Sequence, residues 1–595
     1  MAHPSPVQHF FAHPHPGHMK QLHRLARWAV LPVACVAAFS GASTPSATSP
    51  AATPAELRAL AHEYYTWQDS VYPVGSSDRG RHTWDDRLTD YRPTAYRARR
   101  ERVRALLARV HAMNTAGWSK DDRIDWLLFR SELAGADFFG RASEPEESDP
   151  QVYGNEVANG IFSLLKKDYA PHNTRARAAT ARLRQVPALL AMARTNLTRP
   201  VRLYAQFAID GTRGGDDLYL TSLMTLADSL PANDRAELIA ARDAAIKALH
   251  DYADWLQSRL KGMPDWKPMG VAKYNALLHD VLLLPLDDGQ VAMLGEVELG
   301  RYRGLESMLK DPSLASPDPS RSAHVPKDQA EFLAAYQSRL TEIVDFLGAQ
   351  HLVTLPSYLG QFEIRQLPEA FKPTSPGGFM NPPGIYDVDP MGFYFIPTYN
   401  PKSGNFYIRA AIEDPRPILA HEGIPGHFLQ LSIANHLTNE IRRQHSDNTF
   451  TEGWALYGEE MLLRQGLYPQ ESAGAGQVLR LSRYRAARIG VDVNLQTGRW
   501  TFPQAVNYFM ESGGLDREAA EGEAAGAAAS PTQKIGYMVG KWQIMRLLGR
   551  YRDARGSAFR LGAFHDELIS HGSLPVSVLE WLMLNDSTSV QRFLH

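Results

Sequence analysis

Cysteine is almost missing from this chain, with one residue, Cys35, in 595. That excludes an intrachain disulfide framework and any metal site built on several thiolates. An excess of either charge is missing too, with 63 Lys and Arg against 65 Asp and Glu. Neither a polybasic footprint for nucleic acid nor an acidic solvating tail is therefore expected. Long hydrophobic runs are also lacking. The apolar stretch at 28–39 is short and interrupted by Pro32, which argues against a transmembrane span. Metal chemistry, if the chain performs any, falls to His, Asp and Glu.

What is present at the N-terminus reads as an address. Lys20, Arg24 and Arg27 precede the apolar stretch, and Ser40, Gly41, Ala42 and Ser43 follow it. A basic start, a short apolar centre and small residues make an export signal, with cleavage after Ala42. Residues 1–18, rich in His and Pro, form an extension ahead of Met19, which is itself a candidate start. Its histidines, His13, His15 and His18, are read as part of a disordered stretch rather than as ligands. Cys35 allows a lipoprotein reading through Val33 and Ala34, but Pro32 stands where a lipobox has Leu. Plain export, to the periplasm or beyond, is preferred. Residues 43–54, rich in Ser, Thr, Ala and Pro, are read as a flexible leader.

From Pro54 onward helical signals dominate. Apolar recurrence at a 3.6-residue period marks helices over 94–112, 120–138, 173–196, 232–261 and 327–349, with a cap at 231–234. The Pro- and Asp-rich stretch 310–326 reads as a loop. Between 351 and 410 the texture changes, with Pro, Gly and aromatics clustered. Two β-like runs, 392–396 and 405–409, flank a turn at 400–404 and predict a hairpin. After it the chain is helical again apart from the Gly/Ala-rich 513–530. The fold class expected is mostly α with a small β element. A helical N-terminal region (55–350) and a C-terminal region bearing the chemistry (351–595) would wall the two sides of a deep cleft.

The chemistry concentrates in Leu419-Ala420-His421-Glu422-Gly423-Ile424-Pro425-Gly426-His427. In the zinc-hydrolase pattern H-E-x-x-H, two histidines four apart share a helix face, and the intervening Glu acts as general base. Here His421 and His427 are six apart, which places them on different faces of a regular helix. Pro425 and Gly426 offer a way out, since Pro breaks helical hydrogen bonding and Gly takes unusual dihedrals, so a bulge can bring His427 round. A two-histidine site needs a third protein ligand. Glu452 in Thr451-Glu452-Gly453-Trp454-Ala455-Leu456-Tyr457-Gly458-Glu459-Glu460 is the best candidate, with Glu459 in an outer layer. Trp454 and Tyr457 are read as packing.

These two segments, HEGIPGHFLQ and TEGWALYGEE, resemble the DUF885 family of bacterial proteins, whose signature is His-Glu-x-x-Pro-Gly-His. The stretches 270–284 and 294–299, Arg485 to Asp492, and 531–540 continue the likeness over most of the chain. The resemblance implies a helical, gluzincin-like metallopeptidase architecture with Zn2+ held by His421, His427 and Glu452 and with Glu422 as base. One departure is Gln496, where many members carry a histidine. The expected reaction is hydrolysis of a peptide substrate by metal-activated water. Tyr537 or Arg488 would steady the developing oxyanion, and the 392–409 hairpin would offer an edge to an extended peptide. Two other readings stand beside it: a zinc amidase or esterase on a non-peptide substrate, and a non-catalytic helical scaffold that binds peptides. A coordination position left open by three protein ligands separates catalysis from a closed structural site.

Overall fold

The computed structural model describes residues 52–367, 377–469 and 471–594. The predicted export signal, Cys35 and most of the leader lie outside the described residues. Helices account for most of the molecule. The predicted helices appear as α1 (Pro54–Val71), α2 (Pro93–His111), α3 (Lys120–Ala142), α4 (His172–Asn196), α5 (Ala232–Arg259) and α7 (Gln329–Ala349), with a further helix, α6 (Asp288–Ser307), between the last two. Local chemistry sets several of their starts. Thr53 accepts from the backbone N–H of Glu56 ahead of α1, and Asp287 and Gln290 close a reciprocal capping box at α6. The cap expected at 231–234 is not formed by a side chain: α5 begins after Pro231, whose fixed φ suits a helix start. Among the described residues no helix is long and apolar enough to cross a membrane.

The β element is a three-stranded sheet of β1 (Phe362–Gln366), β2 (Phe379–Asn381) and β3 (Gly392–Ile396), in the order β1-β3-β2. β3 runs parallel to β1 with Ile364 opposite Tyr394, and antiparallel to β2 with Met380 opposite Tyr394. This corrects the hairpin in two respects. The second predicted strand belongs to helix α8 (Phe406–Glu413), and β3 is the central strand, so it offers no free edge. The reason is Asn405, whose side chain accepts from the N–H groups of Tyr407 and Ile408 and starts a helix. An aromatic and β-branched run can serve either structure, and the cap decides between them.

β3 is buried along its whole length, which is why Gly392-Phe393-Tyr394-Phe395-Ile396 is continuously apolar rather than alternating. Its two faces serve different cores. Phe393 and Phe395 pack into a cluster built from 74–263, while Tyr394 and Ile396 join a larger cluster that runs from Leu57 to Leu594. That larger cluster crosses the 350/351 position, so the N-terminal helices and the C-terminal region share it.

The C-terminal helices follow as α9 (Arg416–Glu422), α10 (His427–Asn435), α11 (Asn448–Gln465), α12 (Ala473–Gln496), α13 (Arg517–Ala529), α14 (Gly536–Arg555) and α15 (Leu561–Ser570). α13 corrects the non-helical reading of 513–530. Asp516 accepts from the N–H of Ala519 at its start, and its many alanines combine high helix propensity with small size. Ala520, Ala524 and Ala527 are wholly buried.

Candidate metal centre

The two histidines come from separate helices. α9 stops at Glu422, the chain turns through Gly423 to Gly426 with a cis Ile424–Pro425 bond, and α10 begins at His427. A complete helix break, rather than a bulge, overcomes the six-residue spacing. Gly426 is required there, because an added Cβ would collide with the carbonyl oxygen of His421. Trp454 holds the turn in place by donating its indole N–H to the carbonyl of Pro425 at 2.8 Å. The imidazole centroids consequently lie 4.7 Å apart and nearly perpendicular.

Glu452 reaches them from the first turns of α11. Its Oε2 lies 3.4 Å from His421 Nε2 and 3.4 Å from His427 Nε2. The three donor atoms fall within 4.8 Å of one another, and all three residues are buried. Behind them Glu459, two turns along α11, accepts from His421 Nδ1–H at 2.8 Å and leaves Nε2 to face Glu452. Oε2 of Glu452 has no hydrogen-bond partner among the described residues. A buried, acceptor-rich corner of two imidazoles and a carboxylate is what a divalent ion of zinc type requires.

The electrostatics agree. Burial works against a charged His421, yet Glu452 and Glu459 outweigh it and pull the imidazole up to about 9. Burial likewise opposes the Glu452 carboxylate, but the close approach of His421 and His427 holds it well below the usual carboxylate range. Glu422 is half-buried beside the ligands; burial pushes its carboxyl up, partly opposed by the two imidazoles. Three carboxylates thus crowd two imidazoles, a field that favours a cation.

The remaining predicted residues stand around this corner. The ring of Tyr537, at the start of α14, lies 6.0 Å from that of His421 at an interplanar angle of 14°, and its hydroxyl accepts from Gln533 at 3.3 Å. Arg488 on α12 lies behind Tyr537, 4.5 Å from its ring centre. Its guanidinium is spent on Glu523, to which Nε and Nη2 each donate at 2.9 Å. Glu523 also pairs with Lys534 at 3.1 Å and accepts from Tyr407. Gln496 is buried and donates to the carbonyls of Ala527 and Ala528, so it ties α12 to α13. Asp492 accepts from the N–H groups of Thr532 and Lys534 and shapes the turn that delivers Tyr537.

One residue at the site was given no role from sequence. Arg485, one turn before Arg488, is buried with its Nη2 3.7 Å from Glu459 Oε1 and its guanidinium 5.7 Å from the Tyr537 ring centre. The available signal was the run of Arg480, Arg483, Arg485 and Arg488 in one helix, since arginine is seldom buried without a specific role.

A family model described as "Bacterial protein of unknown function (DUF885)" matches residues 73–583. Two solved structures share the fold. "The structure of a putative lipoprotein of unknown function from Shewanella oneidensis" is 21% identical, with a TM-score of 0.70 over 90% of this chain and 100% of that one. "The crystal structure of the putative lipoprotein from Colwellia psychrerythraea" is 20% identical, with a TM-score of 0.73 over 91% of this chain and 99% of that one. No curated protein matches the chain. The family match takes in both the broken His421–His427 helix pair and the Glu452 helix, and the chain belongs to the DUF885 family of bacterial proteins.

Proposed function

We propose that this chain is an exported zinc-dependent hydrolase of gluzincin-like architecture that cleaves peptide bonds. The observation that carries the reading is the approach of Glu452 Oε2 to both imidazole Nε2 atoms at 3.4 Å, with Glu422 adjoining. Three protein ligands leave a tetrahedral ion one open position, the mark of a catalytic rather than a structural zinc. The lipoprotein descriptions of the two solved structures support an exported location.

His421, His427 and Glu452 would hold the ion, which when bound supplies Lewis acidity and brings the pKa of water in its open position to about 7. Glu422 would act as general base, taking a proton from the attacking water while the water oxygen bonds to the carbonyl carbon. Its raised affinity for protons suits it to carry that proton to the leaving amine as the C–N bond breaks. Tyr537, half-exposed and stacked beside His421, is the donor for the carbonyl oxygen. Arg488 supports the Tyr537 ring from behind, because its own donors are occupied by Glu523. Glu459 fixes the His421 tautomer through Nδ1.

Glu422→Gln should retain zinc by elemental analysis while hydrolysis of a quenched peptide library falls by about 100-fold or more. Undiminished hydrolysis would overturn the assignment. His427→Ala should copurify without zinc, and full occupancy in that variant would remove His427 from the ligand set.

A further inference from the structure

Arg485 is set apart from other arginines buried near the C-terminal core. Arg488 is gripped bidentately by Glu523, and Arg480 pairs with Glu413 and the Leu314 carbonyl, leaving its Nε alone without a partner among the described residues. Arg485 is only 6% exposed, yet its Nε and Nη1 have no hydrogen-bond partner among the described residues. Its ion-pair partner, Glu459, stands 3.7 Å from Nη2 and is already engaged by His421. A buried guanidinium with idle donors is costly and calls for a reason.

Its position supplies one. The Tyr537 ring centre lies 5.7 Å from the Arg485 guanidinium and 6.0 Å from the His421 ring centre, and Glu459 Oε1 lies 3.7 Å from Arg485 Nη2 and 2.8 Å from His421 Nδ1. Arg485 therefore stands beside the reacting centre rather than across the molecule from it. Guanidinium donors match a carboxylate, which takes two N–H groups at once. An extended peptide covers about 3.5 Å per residue. Two steps of 6.0 and 5.7 Å from the His421 ring thus span no more than about three residues.

We propose that Arg485 receives the free α-carboxylate at the C-terminus of a peptide substrate, so that the enzyme cuts within the last three residues. This rests on the hydrolase reading given above and adds the substrate class: short or C-terminally free peptides rather than internal bonds of long chains. Arg485 would then be a binding residue for the substrate, with Glu459 orienting the guanidinium.

The test uses the zinc-loaded protein and three N-acylated peptides of the same backbone: one with a free C-terminal carboxylate, its C-terminal amide, and an amide whose last side chain is glutamate. The free acid should be cleaved with kcat/KM about 100-fold above the amide. Arg485→Gln should erase that preference, chiefly by raising KM for the free acid. Arg485→Lys, which keeps the charge without the planar fork, should fall between the two. Equal cleavage of acid and amide by the wild type overturns the proposal even if no variant folds. Preference for the glutamate amide over the free acid overturns it in favour of side-chain recognition. An equal loss on all three substrates together with weaker zinc binding overturns it too, and makes Arg485 a positioning residue for Glu459.

If no peptide is cleaved, the hydrolase reading fails separately. Calorimetry with N-acetylalanine and N-acetylalanine amide then decides the carboxylate site alone. Binding of the acid that disappears in Arg485→Gln supports the site, and no binding, or binding unaffected by the substitution, overturns it.

Discussion

At the scale of single residues, one imidazole of the candidate metal corner, His421, has its orientation set by a hydrogen bond. His421 can present Nε2 to the ion because Nδ1 is tied to Glu459 at 2.8 Å. Glu459 is wholly buried and two helical turns from Glu452, so one face of α11 supplies both a ligand and the support of another ligand. Glu459→Ala should weaken zinc binding by about 10- to 100-fold in a competition titration against a chelating dye. His421 would remain in place but free to rotate. Unchanged affinity would show that packing alone orients the imidazole.

At the scale of elements, the site depends on helices approaching more closely than ordinary side chains allow. α11 carries Glu452 and α14 carries Tyr537, and the two cross where Gly453 meets Gly540 backbone to backbone. A Cβ on Gly453 would lie 2.5 Å from Gly540. Gly453→Ala must push the helices apart, moving Glu452 relative to Tyr537. Overpacking of this kind costs about 1–3 kcal/mol, readable as a lowered denaturant midpoint, and activity should fall further than the stability loss explains. A midpoint and an activity equal to the wild type would mean that the helices slide to accommodate the methyl group. The break between α9 and α10 follows the same logic: Gly426 passes against the His421 carbonyl, and Trp454 on α11 pins Pro425.

At the scale of the whole molecule, the ion would join α9, α10 and α11, elements that also contribute to the largest core cluster. Leu419, Ala420, Phe428, Leu429, Phe450 and Trp454 of that cluster lie within a few residues of the three ligands. Metal binding should therefore stabilise the fold as a whole. A ligand present at 100 times its Kd adds about 2.7 kcal/mol. Stripping the ion with a chelator should lower the Tm, and adding zinc back should restore it. His427→Ala should unfold at the same temperature with or without the chelator. A wild-type Tm indifferent to chelation would sever the proposed link between ion and core.

How much of this was legible in advance depended on whether the deciding interaction was local. The long helices could be read because their apolar period and breakers lie within each segment, as at Pro54 and at 173–196. His421, His427, Glu422 and Glu452 could be read because they sit in two short motifs whose chemistry tolerates few other residue types. The strand-like appearance of 405–409 misled because aromatics suit strand and helix alike, and one Asn405 cap determined which formed. The alanine-rich 517–529 segment reads as weakly patterned but is helical because small residues let it pack closely.

The sequence by itself determined a mostly helical chain without thiolate chemistry and pointed to His421, His427 and Glu452 as a candidate ligand set. Only the tertiary structure decided that a full helix break brings the two imidazoles together and that β3 is a central strand shared by two cores. It also decided that Arg488 is committed to Glu523 while Arg485 keeps idle donors. Pairing between residues far apart in the chain depends on which helices meet. That is a property of packing, and no local pattern encodes it.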